Sequence, residues 1–169
     1  FECEDAVVLA PDGVSPFTIT RLSDPDASNK AVAGGTGGKY FIFENVAESN
    51  CIHIAYASTN TNNMSLYIRY PWEENFHDAG LIPFSTSNSW DMKSSYIAVS
   101  PMVYIPEGSD IKIRPNVDCN LDCLWLTSEA SGTVADAPAN TLTAAQQKQI
   151  VDAVNTVKNM DVSGLNSVQ

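Results

Sequence analysis

The chain has 169 residues, of which 20 are Asp or Glu and 9 are Lys or Arg; the net charge is −11 and hydrophobic residues make up 44%. These figures suit one globular domain, or one domain with a tail, and argue against a disordered chain. They leave no basic footprint for nucleic acid and no Lys/Arg-rich helix for a membrane surface, and no apolar run approaches the roughly 20 residues that span a bilayer.

Because the chain opens on Phe1 rather than Met, any signal peptide is expected to have been removed already. The opening FECEDA places Glu2 and Glu4 two apart on a predicted strand, so both point to one side. Short alternating segments follow, rich in Tyr, Ile and Val: 39–45, 51–57, 64–70, 94–99, 102–105, 110–115 and 121–127. Turn-forming clusters separate them, among them the glycine-rich 33–38, the TNTNN run at 59–63 and Pro106-Glu107-Gly108. Many short strands with such punctuation predict an all-β domain over 1–127, built as a β-sandwich. At Ser128 the composition turns to Ser, Ala, Thr and Pro, which reads as a linker over 128–142. A helix is then predicted from Thr143, with capping-box spacing to Gln146 and a thin apolar stripe of Ile150, Val154 and Val157, followed by a tail to Gln169.

Four cysteines, Cys3, Cys51, Cys119 and Cys123, together with an acidic, Asn/Ser/Thr-rich surface, predict a secreted protein with disulfides. A zinc site is the alternative, although its spacing lacks the usual two close pairs. Asn63-Met64-Ser65 is a glycosylation sequon.

The acidic groups suggest a cation. If the first and last strands lie side by side, Asp122 joins Glu2 and Glu4, and three carboxylates with backbone carbonyls make an oxygen cage suited to Ca²⁺ rather than zinc. The alternative is a solvated acidic edge. Asp24 and Asp26 flank Pro25, as a second calcium site or an ordinary turn.

The loop aromatics suggest a ligand platform, since a large apolar group in a polar loop is not readily explained by core packing. Trp72 lies in the polar stretch PWEENFHDAG, and His77 stands in the same predicted loop, where it can hydrogen-bond a ligand. Tyr40 follows the glycines and either lines a site or packs in the core. Trp125 alternates with Leu121 and Cys123 and is predicted to be core. No nucleophile elbow, zinc-protease motif or phosphate loop is present, so a catalytic role is not expected.

The order of segments adds to this. FECEDA, GGTGGKYFIF at 34–43, SLYIRY at 65–70, STSNSWD at 85–91, VYIPEGSDIKI at 103–113 and NLDCLWL at 120–126 together resemble the carbohydrate-binding modules of families 35 and 6. The resemblance covers about the first 127 residues. It implies a jelly-roll β-sandwich, a structural calcium and non-catalytic sugar binding, with the module targeting an attached enzyme or surface protein to a polysaccharide or oligosaccharide. Glu2, Glu4 and Asp122 would be calcium ligands, with backbone oxygens near Gly38 and Lys39 completing the shell. Trp90 takes the place of the family's tryptophan and Asn120 that of its asparagine, both near the sugar. The segment before Trp90 is one residue longer than the family's pattern, and Ala55-Tyr56 stands where an Arg-Tyr pair is common. The competing expectation is an adhesive or structural sandwich that binds a protein partner or assembles through its C-terminal helix.

Overall fold

The computed structural model describes residues 1–128 and, beyond them, Asp152 alone. The predicted linker, helix and tail over 128–169 otherwise lie outside the described residues. Among the described residues ten strands form: β1 (Val7–Leu9), β2 (Thr20–Ser23), β3 (Ala31–Gly34), β4 (Tyr40–Val46), β5 (Cys51–Ala57), β6 (Asn62–Arg69), β7 (His77–Phe84), β8 (Tyr96–Val99), β9 (Ser109–Pro115) and β10 (Asn120–Thr127). They make two five-stranded sheets in the orders β1-β4-β9-β6-β7 and β2-β3-β10-β5-β8, with every pairing antiparallel. The result is the expected jelly-roll sandwich.

Alternation explains which residues meet between the sheets. In β9 the sequence SDIKIRP buries Ser109, Ile111, Ile113 and Pro115 and leaves the residues between them facing outward. β6 does the same with Met64, Leu66 and Ile68. Phe41, Phe43, Ile82 and Phe84 complete the inner layer of the first sheet, and Ile52, Ile54, Tyr56, Leu121 and Leu124 face them from the second. Fully burying one such side chain contributes about 1.5–3 kcal/mol, so this layer holds the sandwich together. Tyr56 is the one large polar member, and its hydroxyl donates to the Ser85 carbonyl at 2.6 Å.

Several expectations are corrected. Glu2 and Glu4 are not on a strand: Cys3–Asp5 form a single 3-10 turn that Glu2 precedes. The chain start nevertheless lies beside the last strand, since Phe1 N donates to the Leu124 carbonyl at 2.9 Å and Glu2 bridges Cys123. Within 102–105 only Ile105 pairs, with Ser49. His77 begins a strand rather than sitting in a loop. Trp125 is not core. The β10–β5 register shifts between Leu121 and Leu124, so both leucines face inward at odd spacing and Trp125 turns outward, stacked on His53 at 5.2 Å and 8°. No disulfide joins the four cysteines. Cys3 and Cys119 are fully buried, and burial pushes the Cys119 thiol up to about 12, so it behaves as a small apolar group.

Candidate functional site

The two ends of the sandwich are distinguishable along β6. Its first residue, Asn62, pairs with Phe84, and its penultimate paired residue, Ile68, with His77. The Asn62 end also holds the close of β5 and the start of β10, because Asn120 pairs with Ala57.

Trp90 and Asn120 meet at that end. The Asn120 side-chain amide donates to the Trp90 carbonyl at 2.6 Å. Asn120 is buried, whereas Trp90 keeps 43% of its surface exposed. The loop carrying Trp90 is held from below: Ser87 N donates to the Ser58 carbonyl at 2.8 Å, Thr86 Oγ1 to the same carbonyl at 3.1 Å, and Ser58 N to Ser87 Oγ at 3.0 Å. Asn88 takes a positive φ of 59°, which Asn tolerates better than most residues. Gly34 closes the floor, since a Cβ there would lie 2.4 Å from Leu22 Cδ1. A large ring is thus partly exposed on a loop that is bonded to Ser58 at Thr86 and Ser87 and to Asn120 at Trp90.

Trp72 and His77 belong to the opposite end. Tyr70 packs against Trp72 at 5.2 Å and edge-on to His77 at 4.7 Å. Glu73 Oε2 accepts from Tyr70 N at 2.9 Å and lies 2.9 Å from His77 Nδ1. Trp72 therefore does not share a pocket with Trp90. Tyr40 lies in a third place, on the outer face of the first sheet, 6.1 Å from Tyr67.

Two of the three predicted carboxylates, Glu2 and Asp122, meet at Ser28. Its backbone N–H donates to Asp122 at 3.0 Å, and its hydroxyl lies 2.7 Å from Asp122 Oδ1 and 2.6 Å from Glu2 Oε2. Glu4 has a fully buried side chain, touched at one oxygen by Arg21 at 3.4 Å, while its Oε2 is buried with no hydrogen-bond partner. Burial raises the Glu4 carboxyl above its ordinary range; a backbone bond offsets part of this, and Glu2 adds to it. Glu4 Oε2 is thus a buried carboxylate oxygen open to a hard cation, although among the described residues the acidic group whose ligand atoms converge within 4.8 Å is Asp24, Asp26 and Asp91 rather than Glu2, Glu4 and Asp122. In the Gly38–Lys39 segment the Gly38 carbonyl accepts from Arg114 Nε at 3.1 Å, Lys39 N donates to the Thr36 carbonyl, and the Lys39 ammonium lies over Phe17 at 5.1 Å. Ser28, which no sequence motif singles out, is the residue that ties Glu2 to Asp122.

Asp24, Asp26 and Asp91 form another acidic group with ligand atoms within 4.8 Å of one another. Asp24 is already used structurally, since its carboxylate accepts from Asp26 N at 3.0 Å and Met92 N at 2.9 Å.

No family model matches the sequence, and no curated protein matches it. Solved structures do. A family 6 carbohydrate-binding module from Clostridium stercorarium, solved in complex with cellobiose, aligns with a TM-score of 0.60 at 14% identity, over 76% of this chain and 92% of that one. A family 35 module from Clostridium thermocellum aligns with a TM-score of 0.53 at 18% identity, over 76% and 97%. An exo-β-1,3-galactanase from Phanerochaete chrysosporium, solved with galactose, aligns with a TM-score of 0.55 at 15% identity, over 73% of this chain but 28% of that one. The sandwich thus has the fold of family 6 and family 35 carbohydrate-binding modules.

Proposed function

We propose that the sandwich is a non-catalytic carbohydrate-binding module whose sugar stands on Trp90. The observation that carries this reading is the exposed indole anchored through its own carbonyl to Asn120, at the loop end of a fold shared with such modules. The indole offers an apolar plane to a pyranose face, and fixing the loop beforehand removes ordering cost from binding. Asn120 Nδ2 is committed to the loop, so Asn120 acts first as a positioning residue; its Oδ1 is left to accept a sugar hydroxyl. Such a module would target an attached enzyme or surface protein to a polysaccharide outside the cell. The alignment with 28% of a galactanase chain supports the idea of attachment.

Glu2, Glu4 and Asp122 would hold the implied calcium, with Ser28 beside them. Bound there, the ion would supply charge neutralisation and rigidity. The residues themselves keep the chain start against β10 through the Phe1–Leu124 bonds.

A glycan array run with the folded chain and with Trp90→Ala tests the reading. Retention on one class of glycan, abolished by the substitution with the melting temperature preserved, supports it. Silence of the folded wild-type chain across plant, algal, fungal and bacterial glycans overturns it.

A further inference from the structure

Among the described residues the two sheets end in four edge strands, and an edge presents unpaired backbone groups to which another strand can add. Three of the edges are blunted. β1 is covered by the chain that follows it, since Phe17 N donates to the Val8 carbonyl at 2.9 Å and Leu9 bridges Pro16. β2 carries Arg21, whose guanidinium meets Asp5 at 2.7 Å. β7 has a register shift against β6 and a proline, Pro83, within it. β8 has none of these devices. It reads Tyr96-Ile97-Ala98-Val99, without charge, glycine, proline or register shift, and Tyr96, Ile97 and Val99 are all exposed. No charged residue occurs from Ser94 to Pro106, although the chain carries 20 acids and 9 bases.

The backbone of β8 decides what can pair with it. Ile52 turns both of its backbone groups toward β8: its carbonyl accepts from Ser100 N at 2.9 Å, and its N–H donates to Ser100 Oγ at 2.9 Å. Antiparallel strands alternate, so Ala98 and Tyr96, opposite Ile54 and Tyr56, also face β5, and the N–H and C=O of Ile97 and Val99 point away from the sheet. The open strip stops on either side of these two residues. The Ser95 N–H is committed to the Met92 carbonyl at 2.9 Å, and Pro101 has no N–H. A strip of two donors and two acceptors is complementary to an antiparallel copy of itself. With Ala98 opposite Ala98, Ile97 of each copy meets Val99 of the other and four hydrogen bonds close. A slip of one residue would set inner against outer faces. A slip of two would set Ile97 against Pro101 or Val99 against Ser95, where a donor is lacking. Ala98 packs in the core, so Ile97 and Val99 stand on the outer face, in rows with Ala55 and with His53 and Trp125 that the copy would continue.

We propose that β8 is a docking edge for a second copy of this chain, the two second sheets joining antiparallel through Ile97 and Val99 about a two-fold axis at Ala98. The uncharged stretch lets two chains of net charge −11 approach there. Four residues make a short seam, so the dimer is weak, in the class of interfaces below about 1,200 Å². This edge is independent of Trp90 and of any sugar.

Sedimentation equilibrium of the full chain from about 10 μM to about 1 mM tests this, with Ile97→Lys, Val99→Pro and Leu81→Lys alongside and the melting temperature of each. Val99→Pro removes an outward N–H and no bond to β5, so the fold accepts it. Ile97→Lys sets a charge at the seam on each copy. Leu81→Lys alters a similarly exposed apolar residue on β7 and is the control. Wild type should pass from monomer toward dimer as concentration rises, each β8 variant should weaken association roughly tenfold or more, and Leu81→Lys should leave it unchanged. Amide exchange at Ile97 and Val99 in wild type should slow over the same range. A folded wild type that stays monomeric, with exchange at these amides independent of concentration, overturns the dimer and leaves an extended peptide of another chain as the strand for this edge. Association indifferent to both β8 variants, or weakened equally by Leu81→Lys, overturns it by placing the contact elsewhere. Loss in Ile97→Lys but not in Val99→Pro overturns it too, because side chains would then meet without strand pairing.

Discussion

Trp72 and Trp90 both stand in polar, turn-rich stretches, yet the two ends of the sandwich use them differently. At the Trp72 end the surrounding groups satisfy one another: Glu73 serves both Tyr70 N and His77, and Tyr70 fills the space between Trp72 and His77. At the Trp90 end the satisfied groups are the loop's own backbone and Asn120, and the ring itself is left outside. A loop aromatic becomes a platform when the bonds that fix it run through its backbone. It becomes a strut when they close around its side chain.

The largest expected effect tests that distinction directly. Trp90→Ala should weaken glycan binding roughly tenfold to a hundredfold, as loss of a central aromatic anchor does, with little change in melting temperature. Trp72→Ala should leave glycan affinity within a factor of about two. Isothermal titration of both variants against one glycan decides; equal losses would erase the contrast between the ends.

Next in size is calcium. A ligand that binds only the native state at a hundred times its Kd adds about 2.7 kcal/mol, so calcium should raise the melting temperature by several degrees and EDTA should reverse the gain. Asp122→Ala should remove the response. A melt indifferent to EDTA in protein shown by elemental analysis to be metal-free would refute the site. Trp72→Ala should cost about 1–3 kcal/mol of stability through the packing it makes with Tyr70, read as a shift in urea midpoint.

The smallest effect is a pH dependence. Burial raises the Glu4 carboxyl above its ordinary 4.5, so the folded, metal-free protein binds the Glu4 proton more tightly than the unfolded chain does. The folded state therefore holds more protons, and this group's contribution is fully present below 4.5 and lost as pH rises through the raised value. Glu4→Gln should flatten that slope in metal-free melts and abolish the calcium response. A wild-type slope identical to that of the variant would argue against Glu4 as the cause.

The sandwich was legible wherever a strand was long enough to alternate. YFIFENV, NNMSLYIR and SDIKIRP each bury every second residue over most of their length. β1 with three residues, the fully exposed β2 and the fully buried β3 offer no period to read. β7 was hidden because Gly80 and Pro83 resemble turn residues; Gly80 sits at the register shift opposite β6, and Pro83 lies on an edge strand where its missing N–H costs nothing.

For the site, Trp90 and Asn120 are 30 residues apart, and only the ordered series of motifs hinted that they approach. That Trp72 leaves this end could have been counted. The eight residues of β6 run about 27 Å at about 3.4 Å each, which carries the chain to the far end before Trp72 is reached. Ser28 gave no signal, because a lone serine in a polar loop looks like any other.

The irregular register of β10 has a consequence for how this fold tolerates changes in length. Between Leu121 and Leu124 the strand in effect changes reading frame, and Asp122 sits inside the shift. Removing one of the two residues between them would restore strict alternation while leaving Leu124 inward and Trp125 outward, because the pairings beyond the shift would be kept. The hydrophobic layer therefore tolerates loss of the extra residue. The bonds from Ser28 do not, because they require Asp122 itself.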